Sequence, residues 1–488
     1  MQKFYITTSI PYVNSAPHLG NVLDSLYADV LARFWRQRHY DVRFLTGTDE
    51  HGAKIVRTAE AAGLTPQQLV DQNSAKFRAL KEALNLSWDD FIRTSDQVRH
   101  WPGAQKMWLA LSAKGDLYKK TYKGLYCVGH EAFVTEKDLI GGVCRDHQKN
   151  PEVIEEENWF FRLSKYSKEI ELKIKNDELK IVPESRKNEI LALLENGLED
   201  VSFSRPRQDL SWGIPVPNDD TQTIYVWADA LVNYISALGY GGDRAIDNAT
   251  FKKYWPADVQ IIGKDNLRFH AAIWPGMLLS AGLELPKTIF VHGFLNISGQ
   301  KISKTVGNVI DPVELAEKYG TDPVRYYLLR EITPFEDGDF SYEKFHDRYN
   351  ADLANGLGNF ASRVLTLASK LGEFSADLKN ANPEITKKIE SVTAELDRKV
   401  KDFKFHEALA VVGELISFGD GYVNEKKPWK NPDPKVIFDL VLILDNTAAL
   451  LRPFLPATSE KITASINWVS KDALKIKKSE VLFPRFLV

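Results

Sequence analysis

The chain has 488 residues, 44% of them apolar, and a formal net charge of −3. That length allows two or three domains with sizeable cores, and the charge excludes a surface coated in positive residues while leaving room for a local basic face. Two cysteines exclude a disulfide framework and point to a reducing compartment.

Apolar runs such as residues 436–444 are short and interrupted by Asp, so no membrane span is expected. A chain that starts directly on a strand leaves no room for a leader peptide, and the expected location is cytoplasmic.

Lys3-Phe4-Tyr5-Ile6-Thr7-Thr8 is rich in β-branched and aromatic residues and reads as a strand. After a break containing Pro11 and Pro17, the residues Leu19, Val22, Leu23, Leu26, Val30, Leu31 and Phe34 recur at helical spacing. Asn14 or Ser15 is available as the cap. The helix start carries His18-Leu19-Gly20-Asn21. A strand feeding a helix start offers unpaired backbone N–H groups and a positive dipole end, which suit a phosphate. His18 adds a donor, and Gly20 lets a flat ring lie against bare backbone. The same residues also fit an ordinary strand-to-helix turn with a surface histidine.

Residues 42–45 predict a second strand, ending in the polar loop Thr46-Gly47-Thr48-Asp49-Glu50-His51-Gly52. Open α/β sheets bind at strand C-termini, so Asp49 is a candidate partner for a cation or an ammonium group. It is equally placed to cap a helix over residues 53–62. Thr65-Pro66-Gln67-Gln68 spells a capping box that opens another helix. Strand–helix units in succession imply a parallel sheet.

Residues 118–220 hold short strands and many Lys and Glu, and read as an insertion rather than a continuation of the sheet. Within them, Cys127-Val128-Gly129-His130 and Cys144-Arg145-Asp146-His147 form matched Cys-x-x-His pairs, the donor set of a tetrahedral zinc site. A metal-free loop is the alternative. The sheet is expected to resume at Thr223-Ile224-Tyr225-Val226-Trp227, with further strands at residues 259–262 and 289–291. Gly263-Lys264-Asp265 follows the first of these, then a helix with Phe269, His270 and Trp274.

In Lys301-Ile302-Ser303-Lys304-Thr305 two lysines sit three apart between glycines. Such a loop can deliver two ammonium groups to one phosphate chain, or be a solvated basic turn. From 346 to 488 the chain reads as helical throughout, with Leu353, Leu357, Phe360, Val364 and Leu365 on one stripe. Trp429, between Lys427 and Lys430, is either core or an exposed platform.

Together these pieces resemble the class I aminoacyl-tRNA synthetases. His18-Leu19-Gly20-Asn21 is similar to the first class signature and Lys301-Ile302-Ser303-Lys304-Thr305 to the second. Within the class the likeness is to the methionyl-tRNA synthetase family. Pro11-Tyr12-Val13-Asn14, Thr48-Asp49-Glu50-His51-Gly52, Tyr225-Val226-Trp227-Ala228-Asp229-Ala230 and Gly263-Lys264-Asp265 carry it. Asn21 stands where the class has His, and His130 where a Cys is commoner.

The resemblance implies an α/β fold: a split Rossmann-type parallel sheet with an inserted connective domain, followed by an all-α anticodon-binding bundle. The implied boundaries are 1–117 and 221–295 for the two halves of the nucleotide fold, 118–220 for the insertion, 296–345 for the mobile loop and stem, and 346–488 for the bundle. It implies methionine activation by ATP with Mg2+, then transfer to tRNA(Met), the initiator included. His18, Asn21, Lys301 and Lys304 would be catalytic. Gly20, Gly263, Asp265 and Ser303 would join them in holding ATP. Ile10, Tyr12, Asp49, Trp227, Tyr234, Phe269 and His270 would surround L-methionine. Asn359, Arg363 and Trp429 would read the anticodon, and a structural Zn2+ would sit on Cys127, His130, Cys144 and His147. A monomer is expected, with no membrane partner. A synthetase-like RNA-binding protein without catalysis is the competing reading; damaged signature lysines would mark it, and Lys301 and Lys304 are intact.

Overall fold

The computed structural model describes residues 1–128, 132–134, 139–145, 148–242, 245–302, 307–375, 381–470, 473–477 and 480–485. The chain divides into two compact units. One comprises Met1–Pro17, Trp35–Lys81 and Ser87–His292; the other comprises His18–Phe34, Glu82–Leu86 and Gly293–Val488.

The first unit is built on a six-stranded parallel sheet. In spatial order its strands are Asp90–Arg93, Asp41–Thr48, Lys3–Thr8, Val259–Gly263, Thr288–His292 and Lys180–Val182. Lys3–Thr8 lies near the middle, with Ile6 opposite Phe44 on one side and Val259 on the other. Its residues Tyr5 and Ile6 are fully buried, as a strand covered on both faces requires.

The second strand runs on through Thr46-Gly47-Thr48, read from sequence as loop. Polar character hid it, but the threonine hydroxyls are used inside: Thr46 pairs with Thr8 at 2.8 Å, and Thr48 donates to Glu50 Oε1 at 2.7 Å. Gly47 is required by the neighbouring strand, because a Cβ there would come within 2.2 Å of the Ile92 carbonyl oxygen.

Two expectations about sheet membership are corrected. Asp219–Ile224 does not rejoin the parallel sheet; it pairs antiparallel with Ser204–Pro206 and Pro215–Val216. Conversely Lys180–Val182, inside the segment read as an insertion, pairs with Thr288–Phe290 at the sheet's edge. Ile170, Ile174, Ile190 and Leu194 from the same segment belong to the core of this unit. The long hairpin-like pair Leu117–Cys127 and Glu152–Phe161 does stand in its own antiparallel sheet.

In the second unit, helices Thr321–Arg330, Asn359–Ser369, Pro383–Lys401, Phe405–Lys426, Pro434–Leu451 and Pro456–Ser465 dominate. Several starts are capped by side chains: Asp311, Ser341, Asn382 and Asp433 each accept from a first-turn N–H. The region after 346 is not helical throughout. Glu373–Ser375, Ala473–Ile476 and Ile466–Ser470 form a three-stranded antiparallel sheet. Strands this short carry too few residues for a period-two pattern to stand out.

At the heart of this unit Arg325 is fully buried. Its guanidinium donates to Asp29 Oδ2 at 2.7 Å and to the carbonyl oxygens of Phe454 at 2.7 Å, Leu84 at 2.9 Å and Pro453 at 3.1 Å. Asp29 also receives Arg33 Nε at 2.8 Å. One helix that begins just after His18, the 82–86 segment and the turn before Pro456–Ser465 are thereby joined.

Candidate active site

In the second unit the His18-Leu19-Gly20-Asn21 segment is a helix start, but not the one expected. Leu19–Val22 is a 3₁₀ turn that runs into the helix Leu23–Gln37, and the cap is His18, not Asn14 or Ser15. The His18 backbone N–H donates to Asn21 Oδ1 at 3.0 Å. Asn21 therefore pins the approach of the chain to the helix with the same side chain proposed to meet phosphate.

The glycine of this segment is packed against the second signature. A Cβ on Gly20 would lie 3.1 Å from Ile302 Cδ1 and 3.1 Å from the His18 ring. The Leu19 N–H donates to Ile310 O at 3.0 Å. Gln300–Lys301 is a short strand paired with Leu295–Ile297, Lys301 opposite Asn296. Residues flanking the lysine loop on both sides thus abut the first signature. Ser303, Lys304 and the Lys301 side chain lie outside the described residues.

In the first unit Asp49 follows directly on its strand and is 2% exposed. Its N–H donates to Pro11 O at 2.9 Å, and its carbonyl accepts from Val13 N at 3.2 Å, which makes Tyr12 and Asp49 a bridged pair. The cap of helix Ala53–Ala61 is Gly52, so Asp49 is not spent on capping. Ile10, half-buried, lies between the first strand and Tyr12.

Trp227 stacks on Phe269 with ring centres 3.7 Å apart and planes 9° apart. His270 Nδ1 lies 3.0 Å from the Asn266 carbonyl, so that nitrogen carries the proton. Nε2 is then the acceptor for Tyr234 OH at 2.7 Å. The Tyr234 carbonyl in turn accepts from Tyr5 OH at 2.7 Å, tying the pair to the first strand. Two polar groups thus satisfy each other inside an aromatic cluster. Gly263 ends its strand, and a Cβ on it would come within 2.9 Å of Asp265 Oδ1.

A constellation that sequence reasoning missed lies beside these residues. Asp229, fully buried, lies 2.6 Å from His51 Nδ1 and 2.6 Å from His100 Nε2. Burial opposes its charge, but His51 and His100 outweigh that and hold its carboxyl below the usual carboxylate range. His51 and Asp229 fall within quoted motifs; His100 carries no local signal at all.

In the second unit Asn359 and Arg363 share the helix Asn359–Ser369. Arg363 donates to Asp420 Oδ1 at 3.0 Å and to Asn424 Oδ1 at 2.8 Å, and its guanidinium lies 5.7 Å from the Trp429 ring centre. Burial pushes the Asp420 carboxyl up, against the pull of Arg363. Trp429 is 48% exposed, which removes the core alternative.

Cys127 and Cys144 are both buried and pack in one small cluster with Val134, against Leu125 and Leu139. His130 and His147 lie outside the described residues. Among the described residues no group of three or more His, Cys, Asp or Glu side chains is arranged to hold a metal ion. Two thiols brought together from separate Cys-x-x-His pairs nevertheless fit the donor chemistry of a structural zinc site.

A family model described as class I tRNA synthetases (M) matches residues 4–148 and 134–365. A methionine–tRNA ligase of Clostridium acetobutylicum is 43% identical over 509 aligned residues, covering 99% of this chain and 78% of the relative. The chain belongs to the class I methionyl-tRNA synthetase family. A second family member, from Brucella suis, is 43% identical over 94% of this chain and 91% of its own length. Among solved structures, Mycobacterium tuberculosis methionyl-tRNA synthetase in complex with methionyl-adenylate matches with a TM-score of 0.93 and 36% identity. It covers 99% of this chain and all of its own. The free form of that synthetase matches with a TM-score of 0.85. The parallel catalytic sheet and the helical C-terminal region are those of this family.

Proposed function

We infer that this chain is a methionine–tRNA ligase that works in two steps. The methionine carboxylate attacks the α-phosphate of ATP, giving methionyl-adenylate and pyrophosphate. The terminal ribose hydroxyl of tRNA(Met), initiator or elongator, then takes the methionyl group and releases AMP. The observation that carries the reading is the packing of Gly20 against Ile302. It joins two signature segments far apart in sequence, in a chain alike from end to end with ligases of this name.

The first step gathers negative charge on a five-coordinate phosphorus, and preplaced donors lower that barrier. His18, Lys301 and Lys304 supply them, with Ser303 and the Asn21 amide as lesser donors. Gly20 leaves a flat surface for adenine, and Gly263 clears the approach of the ribose to Asp265. Mg2+ would travel with ATP and offset phosphate charge.

Methionine offers only a thioether for recognition, and a polarizable sulfur is read by aromatic edges and shape. Tyr12, Trp227, Phe269 and Ile10 form such a wall. The Tyr234–His270 pair closes it without leaving an unpaired polar group against the thioether. Asp49 would take the α-ammonium. Cys127, His130, Cys144 and His147 would hold a structural Zn2+, and Asn359, Arg363 and Trp429 the CAU anticodon. The protein would act as a cytoplasmic monomer; among the described residues no helix is long and apolar enough to cross a membrane.

ATP–pyrophosphate exchange with each of the twenty protein amino acids in turn tests the assignment, and exchange driven by one of them better than by methionine sinks it. Lys304→Ala should slow adenylate formation by about 10²-fold or more while methionine still binds. An unchanged single-turnover rate would remove Lys304 from the mechanism.

A further inference from the structure

The buried His51–Asp229–His100 unit connects the two ends of the methionine pocket. Asp229 lies two residues after Trp227 on the short helix Val226–Ala230. His51 lies two residues after Asp49 in the segment that follows the second strand. Each carboxylate oxygen of Asp229 has its own histidine, Oδ2 to His51 and Oδ1 to His100, both at 2.6 Å. All three side chains are almost fully buried, at 2%, 0% and 0% exposure.

The histidines are themselves held. His100 Nδ1 lies 2.8 Å from Ser236 Oγ, and that oxygen lies 3.4 Å from Asn233 O. The His51 ring packs edge-to-face with Trp101 and Trp212, with ring centres 6.1 and 5.6 Å away. The Tyr12 hydroxyl donates to the His51 carbonyl. Tyr12, His51 and Asp229 therefore form one chain of contacts from the Asp49 segment to the Trp227 helix.

We propose that Asp229 is a positioning residue for methionine activation, one that sets the spacing between the ammonium partner Asp49 and the Trp227 wall by clamping His51 and His100. The proposal rests on the methionine-activating reading above. Three features argue that the unit does more than fill space. A carboxylate in the interior is costly unless fully bonded, and apolar residues of like volume would support a helix at least as well. Two N–H···O⁻ bonds fix both the tautomers and the ring planes of the histidines. The clamp also acts on a helix of five residues, Val226–Ala230, which is too short to hold its own orientation.

The chemical consequence is selectivity. A thioether pocket reads its ligand by shape, so a wall that drifts by a fraction of an ångström loosens the fit to the side chain while the ATP contacts stand.

The test compares wild type, Asp229→Asn, His100→Ala and His100→Gln in methionine- and ethionine-driven pyrophosphate exchange, with melting temperatures measured alongside. An asparagine amide can accept from only one histidine, and must donate to the other. For Asp229→Asn and His100→Ala the expected result is a KM for methionine raised roughly tenfold, with the KM for ATP within about twofold of wild type. The preference for methionine over ethionine should fall in parallel. His100→Gln keeps an N–H for Asp229 and should recover most of the methionine affinity lost in His100→Ala.

A KM for methionine and a selectivity that stay at wild-type values in folded His100→Ala overturn the proposal. So does a fall in kcat and melting temperature with both KM values unmoved, which is what mere structural support produces. If Asp229→Asn does not fold, the two His100 variants decide alone. Wild-type protein without methionine-dependent exchange would defeat the functional reading instead, so the two failures are distinct.

Discussion

At the scale of single residues, buried charge is where this chain commits most. Arg325 and Asp29 are both fully buried and bonded to each other, and four of the five hydrogen bonds of the Arg325 guanidinium go to backbone carbonyls from two separate segments. Removing one member of such a pair leaves the other charge stranded. Arg325→Ala should cost about 3–5 kcal/mol of stability, read from urea unfolding followed in the helical unit. A loss below about 1 kcal/mol would mean that Arg33 alone satisfies Asp29. The sequence announced none of this, since an Arg inside the amphipathic run Thr321–Arg330 looks like a surface residue. Asn21 was legible as part of a signature, but its bond to the His18 N–H was not, because capping depends on where the chain turns. His100 is further still from legible: its meaning comes wholly from Asp229, which approaches it only in the folded state.

At the scale of elements, strength comes from residues that bind several strands at once. Asp219 begins the strand Asp219–Ile224 and receives Thr221 Oγ1 at 2.6 Å, Trp159 Nε1 at 2.8 Å and Lys119 Nζ at 2.9 Å. Burial alone would raise its pKa, but these donors outweigh it and hold the carboxyl down at about 2. A folded-state pKa below the unfolded value of roughly 3.9 contributes stability above that value and loses it as pH falls through the folded one. Asp219→Asn should therefore be less stable than wild type at neutral pH, with the gap closing between about pH 4 and pH 2. Parallel denaturant melts across that range check it; a gap independent of pH would point to packing instead of charge. The capping box Thr65-Pro66-Gln67-Gln68 was readable, because it acts within one turn, and Gln68 does bond back to Thr65. Sheet membership was readable only in part: the strands at residues 3–8, 42–45, 259–262 and 289–291 do stand in the parallel sheet. Asp219–Ile224 and Lys180–Val182 were assigned to the wrong places because a strand's neighbours are chosen by residues far along the chain.

At the scale of the whole molecule, the proposed function assigns activation and tRNA reading to different residues. Trp429 is exposed and stands beside Arg363 in the helical unit, and under the proposed function it would serve as a base-stacking platform for single-stranded RNA. Trp429→Ala should leave pyrophosphate exchange intact while weakening tRNA charging by about tenfold or more, the scale of one lost base stack. Equal loss in both assays would make it a structural residue. The broad architecture was legible as a resemblance of motifs spread over the chain, and no single motif carried it.

The interleaved parallel sheet also dictates when this protein can finish folding on the ribosome. Lys3–Thr8 is made well before its second neighbour, Val259–Gly263. The edge strand Lys180–Val182 must likewise wait for Thr288–Phe290. Until Val259–Gly263 has emerged from the exit tunnel, a nascent chain carries an open hydrogen-bonding edge along Lys3–Thr8, which is buried from Phe4 onward in the folded protein. Such an edge is an invitation to pair with the wrong chain until Val259–Gly263 closes it.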